Sequence, residues 1–312
     1  MEKEDWEKSV LEKVLLETVK EQRLSRRWRI FFRLIWLIIT ISLIYLFLPS
    51  GKGLDKSEKK VAIINLKGII SDDSNIYNTI YKGLEQALKD KHVVAIIIKA
   101  NSPGGSPVYS NMLYNEILRF RKLYPNKPID VVIEEVCASG CYYIAAAADK
   151  IYANPSSIVG SIGVIYTGFG LTGLMQKVGV DSRLLIAGKN KAMGYPFIPA
   201  NKDQEVMQQK MLNEIHDQFI NAVKKGRGKR LSLNNAELFS GRYWIGADAL
   251  KLGLIDGIAS VDSLARDKYK SDNVVDYTPD QDPFERIAKK FGVEILDFAK
   301  QLINSAEFGS FN

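Results

Sequence analysis

The stretch Val93-Val94-Ala95-Ile96-Ile97-Ile98-Lys99-Ala100-Asn101-Ser102-Pro103-Gly104-Gly105-Ser106-Pro107 decides the fold. Val93–Ile98 is a continuous, mostly β-branched run, the mark of a strand buried on both faces of a parallel sheet. A proline and two glycines follow, where the chain must turn sharply, and a helical pattern opens at Tyr109. Outward from this unit the same alternation recurs. Val61–Leu66 reads as a strand, and Ser74–Lys89 as a helix through Ile76, Ile80, Leu84 and Leu88. Tyr109–Leu123 is helical, Asp130–Ile133 a strand, Tyr142–Ala148 a small-residue helix, and Lys150–Ala153 and Arg183–Ile186 short strands. A long polar helix spans Asp203–Lys225, with shorter ones at Asn234–Phe239, Ala247–Leu252 and Val261–Lys270. Pro279 to Pro283 is a break, and Phe284–Ser305 is a last amphipathic helix. Strands alternating with helices predict an α/β fold built of βαβ units on a parallel sheet.

Composition narrows the function. The 312 residues are 46% hydrophobic and 25% charged, an ordinary globular mixture rather than a disordered or disulfide-stapled one. A net charge of +7, unclustered over most of the chain, does not suggest nucleic acid binding. Two cysteines and two histidines cannot fill a Cys-rich or His-rich metal site. His92 at a strand entrance and His216 in the polar helix have no nucleophile-like context.

Near the N-terminus, residues 30–48 form an apolar run broken only by Arg33, close to the length that crosses a hydrocarbon core. Arg23, Arg26, Arg27 and Arg29 precede it, and Pro49-Ser50-Gly51 follows. Bulky Tyr45-Leu46-Phe47-Leu48 does not suit a signal-peptidase cleavage site. The expectation is an uncleaved signal anchor over 29–49, with residues 1–28 cytoplasmic and the remainder outside. Val10, Leu11, Val14 and Leu15 give the cytoplasmic part an amphipathic helical spacing. Residues 50–60 read as a stalk.

Three stretches carry chemistry. Asn101–Pro107 forms a strand-to-helix turn whose backbone N–H groups can converge on a phosphate or a developing oxyanion; it also reads as a plain turn. In Val136-Cys137-Ala138-Ser139-Gly140-Cys141-Tyr142-Tyr143, Ser139 sits where a nucleophile elbow holds its serine, although cysteines replace the glycines of G-x-S-x-G. A helix N-cap is the plainer role for that serine. Cys137 and Cys141, lacking further metal ligands, read as small buried thiols. Gly160-Ser161-Ile162-Gly163-Val164 and Gly188-Lys189-Asn190-Lys191-Ala192 make up the third. A lone lysine is ordinarily surface, but a desolvated one beside a serine can serve as a general base.

These stretches, in this order behind a signal anchor, resemble the signal peptide peptidase A family, in its short single-unit form, within the Clp protease–crotonase superfamily. The likeness runs from about Val61 to Val261 and includes Ala153-Asn-Pro-Ser-Ser157, Gly241-Arg-Tyr-Trp244 and Ala247-Leu-Lys-Leu-Gly-Leu-Ile-Asp256. The resemblance implies a serine protease domain over 61–270 and a C-terminal helical extension over 271–312. It makes Ser139 the nucleophile, Lys191 the base and Ser161 the residue orienting the lysine amine. Gly104, Gly105 and Gly140 become the oxyanion-hole donors. One departure is Cys141, where the family usually has a second glycine. The implied enzyme is a homo-oligomeric ring or dome in the bacterial inner membrane, its catalytic domain outside the cytoplasm. It degrades cleaved signal peptides and other apolar peptides without cofactor or metal. Two other readings are a crotonase-like acyl-CoA enzyme, which extracytoplasmic topology disfavours, and an inactive partner-binding scaffold, which an intact serine and lysine disfavour.

Overall fold

The computed structural model describes residues 26–42 and 59–279. Residues 26–42 are one helix, α1, which carries the first part of the apolar run. Among the described residues no helix is long and apolar enough to cross a membrane. Residues 43–48 of the run, the amphipathic stretch before residue 20, most of the stalk and the helix expected over Phe284–Ser305 lie outside the described residues.

The remaining described part is a mixed α/β fold on one largely parallel sheet. Its centre is β1 (Lys60–Lys67), β2 (Val93–Ser102) and β3 (Ile129–Ala138), with Ile63 opposite Ile97 and Ile98 opposite Val131. Ala95 to Ile98 are wholly buried, as a strand covered on both faces requires. Helix α2 (Ile76–Lys89) buries Ile76, Ile80, Leu84 and Leu88, the face its spacing predicts. Helix α3 (Pro107–Leu123) starts where Pro107 pre-sets the first turn and the Ser106 hydroxyl accepts from the Tyr109 N–H. It lays Leu113, Ile117 and Phe120 into the same core.

Strand β3 forks. Its first half, Val131–Ile133, pairs with β4 (Ile151–Ala153), and its last three residues pair with β5 (Ile158–Gly160). Between the halves the register against β2 shifts, so that Ala100 faces Ile133 while Ser102 faces Cys137. This bulge re-aims the end of β3, which leads into α4 (Gly140–Ala145). Bulges of this kind are frequent beside active sites.

After β5 the chain makes a long excursion containing only α5 (Thr172–Lys177), and then returns through α6 (Lys202–Arg227). The run Arg183–Ile186, expected as a strand, is exposed coil; Leu185 is 97% exposed. Its apolar residues have no sheet edge or core to pack on within one chain, so the local pattern finds no partner.

Beyond α6, β6 (Tyr243–Ile245) pairs antiparallel with β5, and α7 (Gly246–Lys251) leads to β7 (Gly257–Ile258) beside β4. Asp256 fastens this return. Its carboxylate accepts from Arg227 at 2.6 Å, from Arg230 at 3.0 Å and from the Ile151 N–H at 2.8 Å. Burial alone raises the carboxyl pKa, but these donors outweigh it and hold it down to about 2. Helix α8 (Val261–Asp267) begins with a Ser260–Ser263 capping box. Finally β8 (Val274–Asp276) adds to the edge of β1. That strand belongs to the sheet although it lies past residue 270, so the sheet reaches into the stretch expected as a helical extension. Three residues are too few for a strand to show its period.

Candidate active site

Ser139 stands at the junction of β3 and α4 with φ 51° and ψ −125°. For a residue with a Cβ, this backbone costs about 1–3 kcal/mol and persists only where its surroundings over-determine it. Here the Ser139 N–H donates to the Gly160 carbonyl at 2.8 Å, and the Ser139 carbonyl accepts from the Tyr143 N–H at 3.0 Å. Although Ser139 occupies the N-cap position, its hydroxyl makes no capping hydrogen bond. The hydroxyl has no other hydrogen-bond partner among the described residues, and the residue is half-buried. The plain capping role is therefore excluded, and a strained turn presents an uncommitted hydroxyl.

The Asn101–Pro107 turn lies directly against it. Gly104 (φ 103°) comes so close that a Cβ there would stand 2.8 Å from both the Ser139 Cβ and the Gly140 nitrogen. A Cβ on Gly105 (φ 148°) would collide with the Ile70 carbonyl, and one on Gly140 with the Ser110 hydroxyl. A Cβ on Gly140 would also lie 3.2 Å from the Gly105 nitrogen. Only glycines allow the two backbones to approach in this way.

The turn is pinned from two sides. The Ile70 N–H donates to the Gly104 carbonyl at 2.9 Å, and the Ser106 N–H donates to the Ile70 carbonyl at 2.7 Å. Buried Ser102 accepts the Gly104 N–H at 3.2 Å, so that donor is already engaged. The Gly105 N–H has no such partner, and its residue is exposed. Of the three glycines named from the sequence, Gly104 is thus committed, while Gly105 and Gly140 lie close together, a Cβ on Gly140 reaching within 3.2 Å of the Gly105 nitrogen. Sequence reasoning missed Ser102 and Ser110, whose only signal is their place next to the Gly-Gly pair.

Ser161 follows Gly160, the carbonyl partner of Ser139, and also has a left-handed φ of 51°. Its N–H donates to the Arg242 carbonyl at 2.9 Å, tying it to the approach to β6. His216 on α6 places Nε2 3.1 Å from the Ile162 carbonyl, and His92 is exposed; neither contacts Ser139. Lys191 is exposed in a turn whose N–H donates to the Gly188 carbonyl, and its side chain bonds neither Ser139 nor Ser161. A cavity of about 320 Å³ nearby in sequence is lined by Tyr166, Phe169, Tyr195 and Gln208.

Cys137 and Cys141 correct the sequence reading. They are not free thiols but a disulfide with Cα atoms 5.1 Å apart, closing directly around Ser139. The sharp turn at Ser139 brings the end of β3 and the start of α4 near enough for the bond.

An uncommitted serine hydroxyl on a strained strand-to-helix turn, packed against a Gly-Gly turn, is the arrangement of a serine-type peptidase. Residues 121–275 match the family model described as peptidase family S49. The chain is 32% identical over 242 residues to the putative signal peptide peptidase SppA of Enterococcus faecium, covering 73% of this chain and 70% of that protein. It is 30% identical over 237 residues to the putative protease slr0021 of Synechocystis, covering 72% and 82%. It is 46% identical over 187 residues to a Brucella abortus protein named Na(+)/H(+) antiporter NhaA, covering 60% of this chain. The chain spans only about a quarter (25%) of that protein's length, and of its Brucella melitensis counterpart. The chain belongs to peptidase family S49.

Proposed function

We propose that the chain is a membrane-anchored endopeptidase with a Ser–Lys dyad that degrades cleaved signal peptides and other apolar peptides. The observation that carries this reading is the strained turn that leaves the Ser139 hydroxyl uncommitted, with the Gly104-Gly105 turn packed closely against Ser139 and Gly140. Ser139 attacks the scissile carbonyl, the Gly105 and Gly140 N–H groups receive the oxyanion, and the acyl-enzyme is hydrolysed by water. Lys191 is the base in both steps, and Ser161 orients its amine. The fold is of the Clp protease–crotonase kind, and no cofactor takes part.

The lysine reaches the serine from a neighbouring copy in a ring or dome. In support, Lys191 bonds neither serine within its own chain, and the excursion bearing it exposes Ile165, Phe169, Val178 and Leu185. Heterologous contacts between such surfaces close into rings. Extended apolar substrates add as a strand beside the Ser139 segment. Purified full-length protein is therefore expected to cut signal-peptide-like peptides while sparing folded proteins. Equal cleavage of both classes would refute the substrate reading.

The anchor is the apolar run over 29–49, with the N-terminus in the cytoplasm and the catalytic domain outside it, in the bacterial inner membrane. The arginines before the run support that orientation. So does the Cys137–Cys141 disulfide, since such bonds persist in oxidising compartments. A reporter fused after Asn312 is expected to be active only outside the cytoplasm; cytoplasmic activity would reverse the topology.

A further inference from the structure

Peptide hydrolysis by a serine needs no disulfide, yet the Cys137–Cys141 bond encircles Ser139. Both cysteines are fully buried. Cys137 is held in the sheet, opposite Ser102 on β2 and Val159 on β5. Cys141 lies in the first turn of α4. The cross-link therefore ties the strand entering the turn to the helix leaving it. Between them sits the one residue of the loop with a disfavoured φ of 51°. For Ser139 to relax toward an ordinary negative φ, the strand end and the helix start must swing apart. A covalent bond holding the flanking Cα atoms 5.1 Å apart resists that swing.

The consequence for chemistry follows from how the site is divided. Ser139 and Gly140 ride inside the cross-linked loop. Gly105 is pinned outside it, by Ile70 and through Ser102. Any relaxation of the loop moves the hydroxyl and one oxyanion donor away from the other donor. An extended substrate pairs over more residues than the five of this loop, so a shift confined to the loop is expected to disturb binding less than turnover.

We propose that the Cys137–Cys141 disulfide is a positioning element for the Ser139 nucleophile, making the oxidised enzyme the active form. The proposal rests on the reading of Ser139 as nucleophile. Reduction by a dithiol proceeds by exchange. One thiolate attacks a cysteine sulfur, the protein S–S bond breaks and a mixed disulfide forms. The second thiol then displaces the protein sulfur. Two electrons and two protons end on Cys137 and Cys141, and the reductant leaves as its cyclic disulfide. A disulfide oxidant reverses the exchange. Because both sulfurs are buried, attack waits on local opening of the loop.

The test follows hydrolysis of a fluorogenic apolar peptide by the full-length protein before and after dithiothreitol treatment. Thiols are counted by mass after alkylation. Reduction is expected to lower kcat at least about tenfold, since small misplacements of reacting groups have effects of this order or larger. KM is expected to stay within about twofold, because uniform binding is untouched. Labelling of Ser139 by a fluorophosphonate should slow in parallel, and reoxidation should restore both. The double variant Cys137→Ala, Cys141→Gly should show the lowered kcat whether or not a reductant is present. Reduced protein with two counted thiols and an unchanged kcat would overturn the proposal. So would a fall in kcat that only tracks loss of the folded state by circular dichroism. Should the double variant fail to fold, the wild-type comparison still decides. If Ser139→Ala keeps its activity, it is the nucleophile reading that fails, which keeps the two failures apart.

Discussion

Ser139→Ala is expected to reduce kcat/KM for peptide hydrolysis by about 10⁴-fold or more, with the fold and assembly intact. The magnitude follows from the non-additivity of nucleophile–base machinery, in which losing the nucleophile leaves only what the oxyanion donors and binding provide. The intact fold follows from the geometry. The Ser139 hydroxyl caps nothing and holds nothing together, so its removal leaves no buried group unpaired. Alanine meets the same backbone penalty at φ 51° as serine, and the hydrogen bonds made by the residue 139 N–H and carbonyl are kept. The check is steady-state hydrolysis alongside a thermal melt. A variant that melts like the wild type and hydrolyses within tenfold of it would remove Ser139 from the chemistry.

The second large effect separates two neighbouring lysines. Lys191→Ala is expected to lower turnover by about 10²–10⁴-fold, the range that a positioned general base contributes. Lys189→Ala should leave turnover within a few-fold and alter mainly binding or pH dependence. Both side chains are exposed in the single chain, so neither substitution disturbs a core. The sharper outcome comes from mixing. If each site takes its serine from one copy and its lysine from the next, inactive Ser139→Ala and inactive Lys191→Ala proteins regain activity when assembled together. Full activity in Lys191→Ala alone would remove it as the base. Mixed assemblies that stay inactive would place the dyad within one chain.

The parts of this molecule that were legible in sequence are those whose signal is local. Val93–Ile98 is buried on both faces because six consecutive apolar residues leave no polar face to expose. The spacing of Ile76, Ile80, Leu84 and Leu88 is the buried stripe of α2. Ser139 and the Gly104-Gly105 pair stood out because sharp turns demand particular residues. What stayed hidden depends on distant partners. Strands β5, β6, β7 and β8 are two or three residues long and exist only through pairing, so no period announces them. The Ser102 hydroxyl engages the Gly104 N–H inside the core, a contact that residue type does not advertise. The disulfide depends on the backbone reversal at Ser139, and cysteines four apart give no hint of that reversal. Arg183–Ile186 misled for the opposite reason. Its apolar character is real, but within the chain it finds no sheet edge or core to pack against.

The excursion between β5 and α6 has a further consequence. Between residues 163 and 200 only Ala192 is buried. A segment that buries so little has almost no stability of its own, and any order it gains on meeting a neighbour is drawn from the free energy of association. If the lysine is supplied by a neighbouring copy, as proposed, mass action makes the competent lysine scarce where copies are sparse and plentiful where they crowd. The strained serine turn forms within each chain, whereas on the proposed reading its lysine partner comes from a neighbouring copy. On that reading the protease would be armed by its own local density, and a copy diffusing alone would lack its base.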